Sequence, residues 1–375
     1  MRIRGKFICF LLFICFMTAC FSTYVFAEEL PEADLYLEDL RGALPEEVTD
    51  ILPEGDGENA LKQLNETYLL SLSAELLKQA LLNGMRSTVQ VLAALLIISF
   101  AEHLDDTFGK NIGTPVSYLA LLLVAYSLYD MLYSLHSTVT LYVERMEGFV
   151  TAYATAIGAL TVMGGGTVQA ATVGYSLLST VALIGGVISF FLFPLIEISF
   201  VSGVTAAVSR RVNLLPLSDF LSSFFTYGMA FISMLTAVVM TFQTVLSGAE
   251  DSLSARSLRF AASSSIPIVG GAVGDSVRVL AASVGSVKKS VGVFGMVGLL
   301  ILVLYPVAQL VSASVTIAVS KALSGALGVT VLDPILNHIQ KCVRMMISVV
   351  VMVGILILFT MGLYAFSTVP LEGAA

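Results

Sequence analysis

The chain has 375 residues, 57% of them apolar and only 12% charged, with a mean hydropathy of +0.91. A soluble protein is roughly a quarter charged and about 45–50% apolar, so these figures exclude a water-soluble enzyme and predict an all-α, polytopic helical membrane protein. The net charge of −8 is unevenly placed: residues 28–86 hold 14 acids against 4 bases, whereas residues 87–375 hold 13 against 12. An acidity confined to one segment argues against nucleic acid as a partner. The chain has no Trp, so an aromatic belt at the membrane interface must be built from its 13 Tyr and 22 Phe.

Residues 1–27 read as a signal peptide. Arg2, Arg4 and Lys6 precede the apolar Phe7–Thr18, and Val25-Phe26-Ala27 supplies a small-x-small cleavage site. The apolar core is about a dozen residues, short of the roughly 20 that a span needs. Two alternatives stay open at this point: lipidation of Cys20 through Met17-Thr18-Ala19-Cys20, and an uncleaved anchor. Cleavage after Ala27 removes Cys9, Cys15 and Cys20 and leaves Cys342 alone, as a small packing residue with no disulfide partner.

Residues 28–60 combine dense carboxylates with Pro31, Pro45, Pro53, Gly55 and Gly57, and predict a flexible, acidic, extracytoplasmic tail. Over residues 61–82, Leu recurs at helical spacing with Lys62, Glu66, Glu75 and Lys78 between, which predicts an amphipathic helix. That helix reads either as a solvated stalk or as a docking surface.

Residues 83–367 form the predicted transmembrane helical domain, followed by a short tail at 368–375. Charge at the bilayer centre is costly, so uncharged gaps mark spans. Such gaps cover Ser87–Ala101, Asn111–Tyr129, Phe220–Ala249, Ser290–Ser320 and Met345–Leu371. Gly148–Ser209 is broken only by Glu197, and reads as three spans turning at Gly164-Gly165-Gly166 and Gly185-Gly186, or as two spans and a re-entrant piece. The expected total is eight, with seven or nine as the alternatives. With the tail outside, three spans in that stretch put Arg210-Arg211 and then Lys321, Lys341 and Arg344 on the cytoplasmic side, as the positive-inside bias requires.

An internal repeat is also predicted, over residues 160–247 and 266–367. Ser202–Arg210 matches Ala313–Lys321, Phe193-Pro194 parallels Tyr305-Pro306, and Asp219 parallels Asp333. Repeated bundles are a recurring plan of membrane transport proteins. Small-residue, Pro-kinked helices also converge on such strings without duplication.

No catalytic, metal or cofactor constellation is predicted. His103, His136 and His338 form no His-Glu-x-x-His pair, and no Gly-Lys-Ser/Thr phosphate loop occurs. What remains is a set of ionisable groups in or near the membrane: Glu197, Asp130, Asp219, Asp275 and Arg278, candidate pore-lining residues or buried structural ones. Asp275 and Arg278 stand at i, i+3 and can pair on one helix face. Residues 263–289 are polar and rich in Gly and Ser, with flanking bases that break the positive-inside pattern. Pro267, Gly270, Gly271 and Gly274 there predict a re-entrant loop, and the alternative is an amphipathic helix lying on the outer surface.

The run Ser257–Ser276, centred on Ile266-Pro267-Ile268-Val269-Gly270-Gly271, resembles the stage III sporulation protein AE family, as do Lys288-Lys289 and Gly292–Gly298. The acidic tail matches that family only in character. The resemblance implies a polytopic, permease-like subunit of a secretion-like channel complex between mother cell and forespore, needed for late forespore gene expression. It also implies partners: small membrane proteins, ring-forming subunits between the two membranes, and a secretion-type ATPase in the same assembly. A secondary transporter of a small solute and a non-conducting membrane scaffold are the alternative functions.

Overall fold

The computed structural model describes residues 113–208, 270–328 and 332–365 without a break, and further residues within 38–42, 71–100 and 216–241. Among the described residues the chain is helical and no strand occurs, as the composition predicts. Helix α1 runs over Gly113–Met163, 51 residues. Gly164-Gly165-Gly166 then turns the chain. Gly165 has φ 82°, its N–H reaches the Val162 carbonyl at 2.9 Å, and the Gly166 N–H reaches that of Thr161 at 2.9 Å. That pair of bonds is a Schellman stop, which needs a residue without Cβ at the left-handed position.

Helix α2, Thr167–Val187, passes into a π turn over Ile188–Leu192 and then into α3, Phe193–Val208. The Phe193 N–H bonds back to the Ile188 carbonyl, one residue further than in an α-helix. Pro194 follows at once. Its ring and missing N–H cannot be fitted to an unbroken α ladder, and the wider π turn gives them room. Helix α4, Gly270–Ala326, is 57 residues long with Pro306 inside it, and α5 covers Asp333–Ala365. Asp333 followed by Pro334 suits a helix start, the acid meeting the positive end of the dipole and the proline needing no N–H partner.

Two long antiparallel hairpins make the bundle. In the first, α1 lies along α2 and α3: a Cβ at Gly185 would stand 3.6 Å from Val143, and the His136 and Phe193 rings are 4.1 Å apart. In the second, α4 lies along α5. A Cβ at Gly354 would stand 2.8 Å from Val303, Gln340 Nε2 donates to Ser314 Oγ at 2.5 Å, and Lys321 Nζ donates to Asn337 Oδ1 at 2.6 Å. Small residues and hydroxyls let membrane helices approach this closely. The hairpins join where Tyr153 of α1, fully buried, packs on Gly295 of α4 and donates its hydroxyl to the Met361 carbonyl of α5 at 3.1 Å. One continuous apolar core runs through all these helices.

This junction separates two tyrosines. Tyr142 is also buried, yet its hydroxyl has no hydrogen-bond partner among the described residues. Removing an unpaired buried hydroxyl costs nothing, whereas removing a paired one costs about 1 kcal/mol. Tyr153→Phe is expected to lower the thermal midpoint in detergent by a few degrees, and Tyr142→Phe to leave it level or raise it. Equal losses in the two variants would show that the Met361 contact contributes nothing.

Among the described residues, five helical stretches are long and apolar enough to cross a membrane: Leu122–Met163, Thr167–Thr205, Asp219–Val238, Ser283–Ala326 and Asp333–Ala365. The expected count of eight takes five uncharged gaps as one span each and Gly148–Ser209 as three, and several of those gaps lie partly outside the described residues. Gly185-Gly186 is not a turn, because both residues stay helical. Charges do not interrupt α1 either: Asp130, Glu144 and Glu147 lie on its exposed side, where the helix's own hydrogen bonds are untouched. Helix α1 therefore joins what reads as one span and part of the next. At 1.5 Å per residue α1 reaches roughly 75 Å, more than twice the hydrocarbon thickness of about 30 Å. The expected first span, 87–101, is described only in part, and the signal peptide, Pro267 and Arg210-Arg211 lie outside the described residues.

Near the N-terminus, residues 74–82 are helical, Leu76 and Ala80 pack on Ala308, and Ser312 Oγ donates to the Ala80 carbonyl at 2.8 Å. Within the stretch expected to be flexible, Leu40 is buried in the main core. That part of the acidic tail is held by burying an apolar side chain and is not free chain.

Candidate functional site: ionisable groups at membrane depth

Membrane depth is set by the helices that carry no charge. Residues 290–320 of α4 and 345–365 of α5 lack any Asp, Glu, Lys, Arg or His. Thr138 Oγ1 donates to Gln309 Oε1 at 3.2 Å, and Tyr153 donates to Met361, so α1 between Thr138 and Tyr153 lies level with those stretches. Glu144, Arg145 and Glu147 therefore stand at the depth of the most apolar part of the bundle. Both glutamates are exposed on the outer side of α1, and Arg145 is half-buried.

Glu197 sits on α3, just past the π turn and Pro194. It does not point into the bundle, because 64% of its side chain is exposed. Its Oε1 lies 3.8 Å from Nδ1 of His136 on α1, and the His136 ring rests on Phe193. The antiparallel first hairpin brings these two residues together across 61 positions of sequence. At that separation an imidazolium would offset the carboxylate's charge without a hydrogen bond, which lowers the cost of an acid at this depth. Among the candidate residues this is the contact that joins α1 to α3.

The other expected residues fall elsewhere. Asp130 is exposed on α1. Asp219 opens the Asp219–Val238 helix and forms an ion pair with Lys341 of α5, tying the two elements together. Asp275 and Arg278 lie in the early turns of α4, and their side chains lie outside the described residues. Gly270, Gly271 and Gly274 are helical, so the turn expected near Pro267–Gly274 does not extend into them.

His136, Lys341 and the Glu144–Glu147 group escape sequence reasoning. His136 reads as a lone interfacial residue, and nothing in its neighbourhood signals the partner from α3. Glu144-Arg145-Met146-Glu147 reads as a loop between spans, and only its helical spacing relative to Ser137 and Thr151 hints otherwise. No group of three metal-binding side chains occurs among the described residues. Cys342 is fully buried, with its thiol directed to the Ile196 carbonyl at 3.9 Å.

A family model for stage III sporulation protein AE matches residues 45–368. The chain is also similar to stage III sporulation protein AE of Bacillus subtilis (strain 168), 21% identical over 299 residues, covering 76% of this chain and 74% of that protein. No solved structure matches.

Proposed function

Since the chain belongs to the stage III sporulation protein AE family and so serves sporulation, we propose that it is the permease-like integral membrane subunit of a secretion-like channel complex joining mother cell and forespore. The observation that carries this reading is the exposure of Glu197, Glu144 and Glu147 at the depth of uncharged helices. Carboxylates on outward faces there call for water or protein beside them, which a subunit of a larger membrane assembly supplies. In this reading the signal peptide is cleaved, the N-terminal tail is extracytoplasmic, and Arg210-Arg211 and Lys321–Arg344 face the mother-cell cytoplasm. The parallel placement of Pro194 with Pro306, and of Asp219 with Asp333, supports a duplicated pair of helices behind the permease-like plan. The net negative segment 28–86 docks on basic faces of the ring-forming subunits, and a secretion-type ATPase supplies energy to the assembly.

Glu197→Gln tests the reading. With normal accumulation in membranes, spore yield is expected to fall on the order of tenfold as the charge at membrane depth is lost. Unchanged yield would favour a scaffold instead. Deleting residues 30–57 is expected to leave insertion intact while weakening co-purification of ring subunits, most clearly at low salt, where the charge contact of the intact chain is least screened. Recovery that does not change at any salt would reduce the tail to a spacer. The Glu197–His136 pair beside a π turn favours a second reading, a proton-linked solute transporter, which would work without the complex.

A further inference from the structure

We propose that the outer face of α1 is a contact surface for a second copy of this chain. The proposal rests on the membrane-subunit reading above and deepens it by naming which face meets which partner. Ser137, Leu141, Glu144, Gly148, Thr151 and Thr155 are all exposed and follow one another at alternating steps of four and three. A repeat of 3.5 residues is the period of a helix–helix seam. Apart from Leu141, every member is small or polar.

The other outer faces at this depth are different. Leu183 is 52% exposed, Phe190 89% and Phe231 67%, and such faces suit lipid tails. Lipid cannot cover the α1 stripe, because Glu144 and Glu147 stand at the level of uncharged α4 and α5. A facing helix of the same kind can. At Gly148 an added Cβ would meet nothing within 4 Å, so a neighbouring backbone can approach closely there. The face also carries both signs of charge, with Arg145 between Glu144 and Glu147. A self-complementary contact places the arginine of each copy near carboxylates of the other, and a surface that meets its own copy is the commonest basis of a symmetric oligomer. Gly148 is the least bulky member, and only threonines follow it, whereas Leu141 and Glu144 stand between it and Ser137, so the closest approach falls in the Gly148–Thr155 half of the stripe.

Cysteine cross-linking tests this in the full chain. The four native cysteines are first replaced by Ala. Single Ser137→Cys, Gly148→Cys and Thr151→Cys variants are then compared with Leu183→Cys and Gly186→Cys, which lie at similar depth on the outer face of α2. Membranes are taken from cells making no other sporulation protein and are treated with a mild oxidant. A disulfide needs Cα atoms within about 7 Å. The expected result is a disulfide-linked dimer at the stripe positions, strongest at Gly148→Cys and Thr151→Cys, with the α2 variants remaining monomeric. Inserted chain that forms no dimer at any stripe position overturns the proposal. A fast reaction of those same thiols with an impermeant maleimide would then identify water as what covers the face. Because the readout needs no spores and no partner subunit, its failure stays separate from that of the channel reading, which is scored by spore yield.

Discussion

Gly295→Leu is expected to abolish accumulation of the folded chain in membranes. A Cβ at position 295 would lie 2.5 Å from Cδ2 and 2.6 Å from Cε2 of Tyr153, and 3.2 Å from Cε of Met361. The methionine end is flexible and can give way. The tyrosine ring cannot, because it is fully buried and its hydroxyl is held at the Met361 carbonyl. A single added methyl in such a site costs about 1–3 kcal/mol. Leucine adds three further carbons at a point where α1, α4 and α5 all meet, and net stability is only about 5–15 kcal/mol in total. Gly186→Leu is the control: that glycine is exposed, with nothing within 4 Å of an added Cβ, and leucine is the better helix former. Membrane accumulation and the thermal midpoint in detergent read the difference. Wild-type behaviour of Gly295→Leu would mean that the three helices do not meet at Tyr153. Combining Gly295→Leu with Tyr153→Ala should recover part of the loss, since the obstructing ring is gone.

The second large effect contrasts two substitutions at one depth. The His136 ring lies against Phe193, so Ser137 of α1 and Phe190 of the π turn stand at nearly the same height in the bundle. Ser137 is on the polar stripe of α1, whereas Phe190 is 89% exposed on an apolar face. An Asp near the centre of a span costs about 2.5–3.5 kcal/mol in insertion when it faces lipid, roughly a hundredfold in partitioning. Phe190→Asp is therefore expected to be lost from the membrane fraction, while Ser137→Asp inserts close to normally. Quantifying the chain in carbonate-washed membranes separates the two. If both variants insert equally well, neither face meets lipid at that depth.

The sequence by itself determines the class of this protein. Hydropathy and the scarcity of charge lead to an all-helical membrane protein, because only helices or closed barrels satisfy backbone groups in lipid and no alternating strand pattern is present. The turn at Gly164-Gly165-Gly166 is likewise legible, since three consecutive glycines supply the left-handed position that a helix stop needs. The family is legible too, from the Ile266–Ser276 run and its surroundings. Spans are less so. Gly185-Gly186 looks like the glycine turn twenty residues before it, yet it stays helical because Gly185 packs on Val143 and the helix beyond buries Ile188 and Leu192. Charge gaps also divide α1 where the chain does not, because a helix tolerates Asp130, Glu144 and Glu147 as long as they point away from its neighbours.

What lies beside those acids was decided by tertiary structure alone. Glu197 stands out in its apolar run, but its direction depends on how α3 rolls against α1 and α5, and that roll follows from the close approach of Gly203 to His338 and from Cys342 against Ile196. Those contacts bury the Ile196 and Ser199 side of α3 and turn Glu197 outward to His136. Such a rotation depends on residues far apart in sequence, so no local periodicity records it. The same holds for depth: Glu144 reads as a loop residue until Tyr153 and Thr138 register α1 against uncharged parts of α4 and α5. Sequence determines which side chains are costly in a membrane, and packing determines which of them are turned to face it.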